Sequence, residues 1–199
     1  MKIVLSTRNP SKAEQIKEIF AGSSVSVVPL NETSIEGEAV EDGKTLQENA
    51  LKKAMFVSER LNPKEWVMAD DTGLFIHAIN DAPGIRASRW AGETATTEQI
   101  TQYTLRQLEG TADRSATFET VVAVVSPEGK QHFFSGKVHG KILEAPKVPP
   151  QLKMPYSPIF VPDGTNLVWA EMTVGQENAI SHRGKAFRQA REFLESLQV

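Results

Sequence analysis

Two adjacent carboxylates, Asp70 and Asp71, stand in the segment Ala69-Asp70-Asp71-Thr72-Gly73-Leu74, between the apolar runs Trp66-Val67-Met68 and Phe75-Ile76. Paired negative charges at the end of a buried strand are costly unless something positive sits beside them. A divalent metal shared with an anionic substrate supplies that charge, taking carboxylate oxygens as ligands. The same residues also spell a hairpin connector, since Asp, Thr and Gly favour tight turns. Strands are accordingly predicted over 66–68 and 74–76, on either side of an acidic turn.

Three further segments carry chemistry. Ser6-Thr7-Arg8-Asn9-Pro10-Ser11-Lys12 leads into a helix, with Asn9 suited to the N-cap and Pro10 to the first turn. A helix start offers unpaired N–H groups and a positive dipole end. Thr7, Ser11 and Lys12 add donors, which makes a phosphate cradle, or else no more than a capped helix. The chain has neither a G-x-x-x-x-G-K-[ST] loop nor a G-x-G-x-x-G turn, which argues against Walker and dinucleotide-binding folds. Next, an acidic loop with Glu41-Asp42-Gly43 precedes a helix on which Asn49 and Lys53, four apart, share a face. Lys53 could reach a phosphate and Glu41 could join Asp71 on a metal, although a single lysine or loop carboxylate is more often simply solvated. Finally, Ser181-His182-Arg183-Gly184-Lys185 opens the last helix. Cations in a first turn oppose the helix dipole. A bound anion or a base acceptor atom accounts for them, as does a plain surface position.

The elements that must hold these residues alternate. Strands are predicted over 2–6 and 25–30, and helices over 10–20 and 45–61. Apolar stripes support the helices: Ala13, Ile16, Ile19 and Phe20 on the first, and Leu46, Ala50, Ala54, Val57 and Leu61 on the second. The polar stretch 31–43 reads as a mobile loop and 80–84 as another. A helix runs from Thr96 or Thr97 to 108, a hairpin joins 116–125 to 131–142, and Pro-rich 144–158 is a stiff irregular loop. A short strand follows over 159–161. Ser181 caps a last helix to 197, with Ala186, Phe187, Ala190, Leu194 and Leu197 as its stripe. This pattern predicts an α/β fold with a mixed sheet, and no linker divides it, so 1–199 reads as a single domain.

The chain has 199 residues, 40% of them hydrophobic, with no Cys and a net charge of −3. Cys-based metal sites and nucleophiles are therefore excluded. The charge argues against a general binder of nucleic-acid polymers. No run approaches the roughly 20 apolar residues of a membrane span, and the apolar start Met1–Leu5 is too short for a signal peptide. A cytoplasmic location is the expectation.

Taken together, these segments resemble the inosine triphosphate pyrophosphatase family, in order and spacing over almost the whole chain. The residues that carry the resemblance are 7–12, 41–46 with 48–50, 69–74, Ala82-Pro83-Gly84, Ala91-Gly92, Tyr156 with 158–160, 170–172 and 180–186. The resemblance implies an elongated mixed sheet with flanking helices forming two lobes around a nucleotide cleft, and a homodimer. It implies Mg²⁺-dependent hydrolysis of a nucleoside triphosphate to the monophosphate and pyrophosphate. By position, Asp71 would hold the metal and serve as base for the attacking water, with Glu41 as the second metal carboxylate. Thr7, Arg8, Asn9, Pro10, Ser11, Lys12, Lys53 and Thr72 would hold phosphates and sugar. Met154, Pro155, Tyr156, Ser157, Glu177, His182 and Arg183 would surround the base.

The departures from the family fall on the base side. Phe-Gly-Tyr-Asp is usual where this chain has Met154-Pro155-Tyr156-Ser157, and a lysine is usual where it has Glu177. A Lys-to-Glu change replaces a donor with an acceptor. Glu177 either meets the base edge or turns to solvent beside Arg183 or Lys185. The resemblance therefore implies pyrophosphatase chemistry with altered base selection. The competing readings are a catalytically silent nucleotide-binding protein and a Maf-type nucleotide pyrophosphatase.

Overall fold

The structure, a computed structural model, describes residues 1–198. Seven strands form one mixed sheet: β1 (Lys2–Leu5), β2 (Ser26–Pro29), β3 (Trp66–Ile76), β4 (Ala82–Gly84), β5 (Ser115–Val125), β6 (Gln131–Ile142) and β7 (Phe160–Pro162). Their order is β2-β1-β3-β5-β6-β7, with β4 also paired to β3. β1 is parallel to both β2 and β3, and every other pairing is antiparallel. The helices are α1 (Pro10–Ile19), α2 (Leu46–Arg60), α3 (Thr97–Gln107), α4 (Val174–Ile180) and α5 (His182–Ser196). No helix among the described residues is long and apolar enough to cross a membrane.

Two crossovers set the layers. β2 and β3 flank β1 on opposite sides, so right-handed connections send α1 and α2 to opposite faces of the sheet. The cores follow from that. Ile16 and Ile19 of α1 pack with Phe187, Ala190 and Leu194 of α5 against Met68, Val122 and Val124. Ala50, Ala54 and Val57 of α2 pack on the other face, against Val67, Ala69, Ala123 and Val125. The alternation of even and odd residues along β3 and β5 is the period of a strand buried on both faces. A third core lies toward the far end of the same long strands, with Leu74, Phe118, Val138, Phe160 and Trp169. Each fully buried large apolar side chain here contributes about 1.5–3 kcal/mol.

The acidic segment is not a turn. β3 runs unbroken through it, with Asp70 opposite Val122, Asp71 opposite Val121 and Gly73 opposite Glu119. The eleven-residue partner β5 offers a complete ladder along that edge, and the ladder outweighs local turn preference. Gly73 serves packing instead, since a Cβ there would press on the Phe75 ring and the Gly84 carbonyl. The stretch 80–84 is likewise not all loop. Asn80 and Asp81 take positive φ and fold the chain back, so that β4 pairs with Leu74–Ile76. Helix α4 was not expected from periodicity, although Thr173 and Gln176 form a capping box at its start. In α5 the predicted stripe is buried except Leu197, which is exposed. Gly136 on β6 lets α5 settle on the sheet, because a Cβ there would strike the backbone at His182 and Ala186.

Candidate active site

β1 stops at Leu5, where the Ser6 N–H still bonds to the Met68 carbonyl at 2.8 Å. β3 continues, and on that edge residues 69–73 have no strand partner until β4. The opening lies where the α1 and α2 connections leave in opposite directions, the place where open α/β sheets form ligand crevices. A cleft of about 330 Å³ occupies it. Thr7, Arg8, Asn9 and Lys12 line one side, Glu41 and Lys53 another, Asp70, Asp71 and Thr72 the floor, and residues 154–157 with Glu177, His182 and Arg183 the far end.

Successive strand residues point to opposite faces, so the two aspartates enter different clusters. Asp70 accepts from Lys12 Nζ at 2.9 Å and lies 3.9 Å from Arg183 Nε. Thr72 Oγ1 is 3.3 Å from the same carboxylate oxygen. Burial alone would raise the Asp70 carboxyl, but Lys12, then Arg183 and Lys53, hold it well below the usual range. Asp71 accepts from Lys53 Nζ at 2.7 Å and from the Asn49 amide at 3.2 Å. Burial raises its carboxyl above the ordinary value despite Lys53. Asn49 is itself a bolt: it is fully buried, and its carbonyl accepts the Gly43 N–H at 2.8 Å, tying the acidic loop to Asp71. The Arg89 guanidinium donates to the Glu41 carbonyl at 2.9 Å and fixes that loop from the other side.

Glu41 Oε2 and Asp71 Oδ1 both approach Lys53 Nζ, at 3.4 and 2.7 Å. Two carboxylates thus converge on one small volume that already accepts a cation. Among the described residues no cluster of three His, Cys, Asp or Glu side chains is placed to hold a metal. A hard divalent ion that keeps waters and takes phosphate oxygens fits such a sparse donor pair; a metal needing a full protein cage does not.

The first helix departs from expectation. Asn9 Oδ1 caps the N–H groups of Ser11 and Lys12, at 3.1 and 3.4 Å, so those donors already have a partner. Pro10 and Ser11 do not line the cleft. The Ser11 hydroxyl instead donates to the Leu152 carbonyl at 3.0 Å, because position 11 lies on the helix side facing the 144–158 loop. Arg8 lines the cleft, but its guanidinium donates to Ile35 and Gly37 carbonyls at 2.7 and 3.3 Å. It therefore fastens the 31–43 loop. Of the residues expected to hold phosphate and sugar, Thr7, Lys12, Lys53 and Thr72 remain as cationic and hydroxyl groups lining the cavity, and Lys153, not anticipated from the sequence, lines it as well.

At the far end, Tyr156 donates its hydroxyl to the Ala87 carbonyl at 2.7 Å and packs edge-on against Phe118. Ser157 closes a local turn, donating to the Met154 carbonyl at 2.8 Å and accepting the Gln151 N–H at 2.9 Å. Glu177 does not turn to solvent: it is 4% exposed and lines the cleft. Lys185 points elsewhere, onto the Lys137 carbonyl. His182 and Arg183 are buried in the first turn of α5. Arg183 bonds the Gln15 side chain as well as facing Asp70, so buried acceptors offset its clash with the helix dipole. Gly184 permits this packing, since a Cβ there would collide with the Asn178 carbonyl. Sequence reasoning missed Phe118, Trp169 and Gln15. Phe118 and Trp169 look like ordinary core aromatics in sequence, and Gln15 is one polar residue on a helix with no distinguishing spacing.

His182 stacks on Phe118, with ring centroids 4.7 Å apart and planes 12° apart. Burial, then Arg183, pushes its imidazole well below the ordinary value, with Asp70 opposing. The unfolded chain therefore takes up this proton more readily than the folded one as pH falls below about 6.5, and stability drops there. Urea titrations from about pH 7 to about pH 5.5 should show stability falling by up to about 1.4 kcal/mol per pH unit from this group. His182→Gln should flatten that slope. An unchanged slope in the variant would assign the pH dependence to another group.

A model of the Ham1 family matches residues 3–193. A protein of Caldanaerobacter subterraneus subsp. tengcongensis named dITP/XTP pyrophosphatase is 37% identical over 196 residues, covering 98% of this chain and 96% of the relative. The solved Ham1 protein of Coxiella burnetii superposes with a TM-score of 0.84 at 33% identity, covering 98% of this chain and 99% of that one. The Staphylococcus aureus Ham1 protein does so with a TM-score of 0.83 at 31% identity, covering 99% and 100%.

Proposed function

This chain belongs to the Ham1 family, and on that premise we propose that its cleft is the active centre of a nucleoside triphosphate pyrophosphatase with altered base selection. The observation that carries the reading is the pair of ion clusters on the two faces of β3, Lys12–Asp70 and Lys53–Asp71–Glu41, beside one cavity. Relatives named dITP/XTP pyrophosphatase support the reaction class.

The reaction places water on the α-phosphorus. A P–O bond forms there, the bridging P–O bond to the β-phosphate breaks, and its electron pair leaves with pyrophosphate. Asp71 is the proton acceptor. It is buried beside the cavity, and its geometry is fixed by Asn49 and Lys53. Lys12 and Lys53 place two ammonium groups against the triphosphate, where charge neutralisation and positioning matter more than covalent chemistry. Glu41 and Asp71 would hold Mg²⁺, which when bound neutralises phosphate charge and polarises the phosphorus centre. With a cation held there, Lys53 Nζ would be released from Glu41 and Asp71 and free to pair with a phosphate. Thr7 and Thr72 add hydroxyl donors.

Met154, Ser157 and Glu177 replace the residues usual in the family, and all three line the cleft. Altered base selection follows from them, because the lysine donor is gone and an acceptor stands in its place. Pyrophosphate release from a panel of nucleoside triphosphates, with and without Mg²⁺, tests the reading. No release from any member would leave only a nucleotide-binding protein.

The phosphate side makes a separate prediction. Lys12→Ala and Lys53→Ala should each weaken triphosphate binding about 10- to 100-fold, the scale of one charge-assisted hydrogen bond. Nucleoside affinity should barely change. Calorimetric titration of both ligands reads the difference, and equal losses for nucleoside and triphosphate would place the lysines away from the phosphates.

A further inference from the structure

Four residues that line the cleft each carry a buried side-chain atom without a hydrogen-bond partner: Glu177 Oε2, Trp169 Nε1, His182 Nδ1 and Arg183 Nε, the last facing Asp70 at 3.9 Å. Leaving a buried polar atom unsatisfied is unfavourable, so four at one end of one cavity define what should fill it. Phe118, Tyr156, Met154 and Pro155 add apolar lining, which suits an aromatic ring. Trp169 Nε1 and Arg183 Nε can only donate. The Ser157 hydroxyl already has a donor and an acceptor as partners.

Glu177 is therefore the acidic acceptor left at this end of the cleft. It is 4% exposed, and it enters none of the ion pairs among the described residues. Burial raises its carboxyl above the ordinary value, while Arg183 and the Gln15 and Gln151 amides pull it back. A carboxylate so placed accepts from a ring amino group, as acidic side chains do with the amino group of a base. A keto oxygen in the same position sets acceptor against acceptor and leaves Glu177 Oε2 unpaired.

Resting on the pyrophosphatase reading, we propose that Glu177 is the specificity-determining residue of this cleft and selects a purine nucleoside triphosphate bearing an exocyclic amino group at the edge it faces. Inosine and xanthosine triphosphates, with keto oxygens there, are the disfavoured class. The Trp169 and Arg183 donors pair with ring nitrogens or the remaining acceptor of the base.

The test measures binding and turnover separately. Dissociation constants are taken by calorimetry, without metal, for the 2,6-diaminopurine, adenosine, guanosine, inosine and xanthosine triphosphates. Tripolyphosphate is the probe without a base. The wild-type protein should bind 2,6-diaminopurine riboside triphosphate about 10- to 100-fold more tightly than inosine triphosphate. Glu177→Gln, which can accept and donate, should bring that ratio close to one. Glu177→Lys should invert it. Tripolyphosphate affinity should stay the same in Glu177→Gln, and thermal melting confirms that each variant is folded. A wild-type preference for inosine or xanthosine triphosphate, or a ratio that neither substitution moves, overturns the proposal. Pyrophosphate release is scored with Mg²⁺ on the same panel. Its absence from every nucleotide would overturn the pyrophosphatase reading, while the binding ratios still decide the role of Glu177.

Discussion

Asp71→Asn is expected to give a folded protein that releases pyrophosphate about 10²- to 10⁴-fold more slowly, the range for loss of a positioned general base. The substitution keeps the size of the side chain. The Asn49 amide can still bond its carbonyl oxygen, and Lys53 keeps Glu41 as a partner at 3.4 Å. Without metal, removing a negative charge from beside the phosphates should leave triphosphate affinity intact or improved. With Mg²⁺ the same substitution also takes away one of the two proposed metal carboxylates, so the loss should appear in kcat and in the Mg²⁺ concentration needed for turnover. Steady-state rates together with nucleotide binding separate the two. Turnover close to wild type in a folded Asp71→Asn protein would remove Asp71 from the chemistry.

Asp70, one residue away, should behave differently. Asp70→Asn is expected to lower folding stability by about 3 kcal/mol, at the lower end of the range for breaking a buried ion pair. Arg183 is 4% exposed on its side chain and would remain buried with Gln15 as its main acceptor. Lys12 keeps 20% side-chain exposure and can recover some hydration, which limits the cost. The exposed pair Lys17–Glu32, at 46% and 53%, is the control. Lys17→Ala should change stability by less than about 1 kcal/mol. Urea unfolding with a constant m value measures both. Equal small effects would mean that Asp70 is not needed to balance Arg183.

Much of the frame was legible because it rests on periodicity. The stripes of α1, α2 and α5 and the hairpin β5–β6 are local patterns, and the structure has them close to the predicted bounds. The N-caps Asn9, Thr96 and Ser181 were legible for the same reason. The acidic segment was misread because a turn signal is local, whereas its strand state depends on β5, some fifty residues later in the chain. The cleft residues Lys12, Lys53, Asp71 and Arg183 were found through spacing and resemblance. What each one touches was not legible. The pairing of Arg183 with Gln15 and Asp70 depends on α1 and α5 lying side by side, a tertiary outcome with no sequence period. Pro10 and Ser11 were assigned with their motif, but a helix start sends only some of its residues toward one side.

The unbroken passage of β3 through both carboxylates also constrains how the gene can change. Because Asp70 and Asp71 look to opposite faces, deleting or inserting one codon just before them would exchange their surroundings. One carboxylate would face Lys53 where the other had been, and Leu74 and Ile76 further along the strand would be turned away from their core in the same step. A two-codon change would restore the faces but displace both carboxylates by about 7 Å along the strand, away from Lys12 and Lys53. Length variation among descendants of this sequence should therefore spare residues 66–76 and gather in connections away from the cleft, such as the hairpin turn over 127–130.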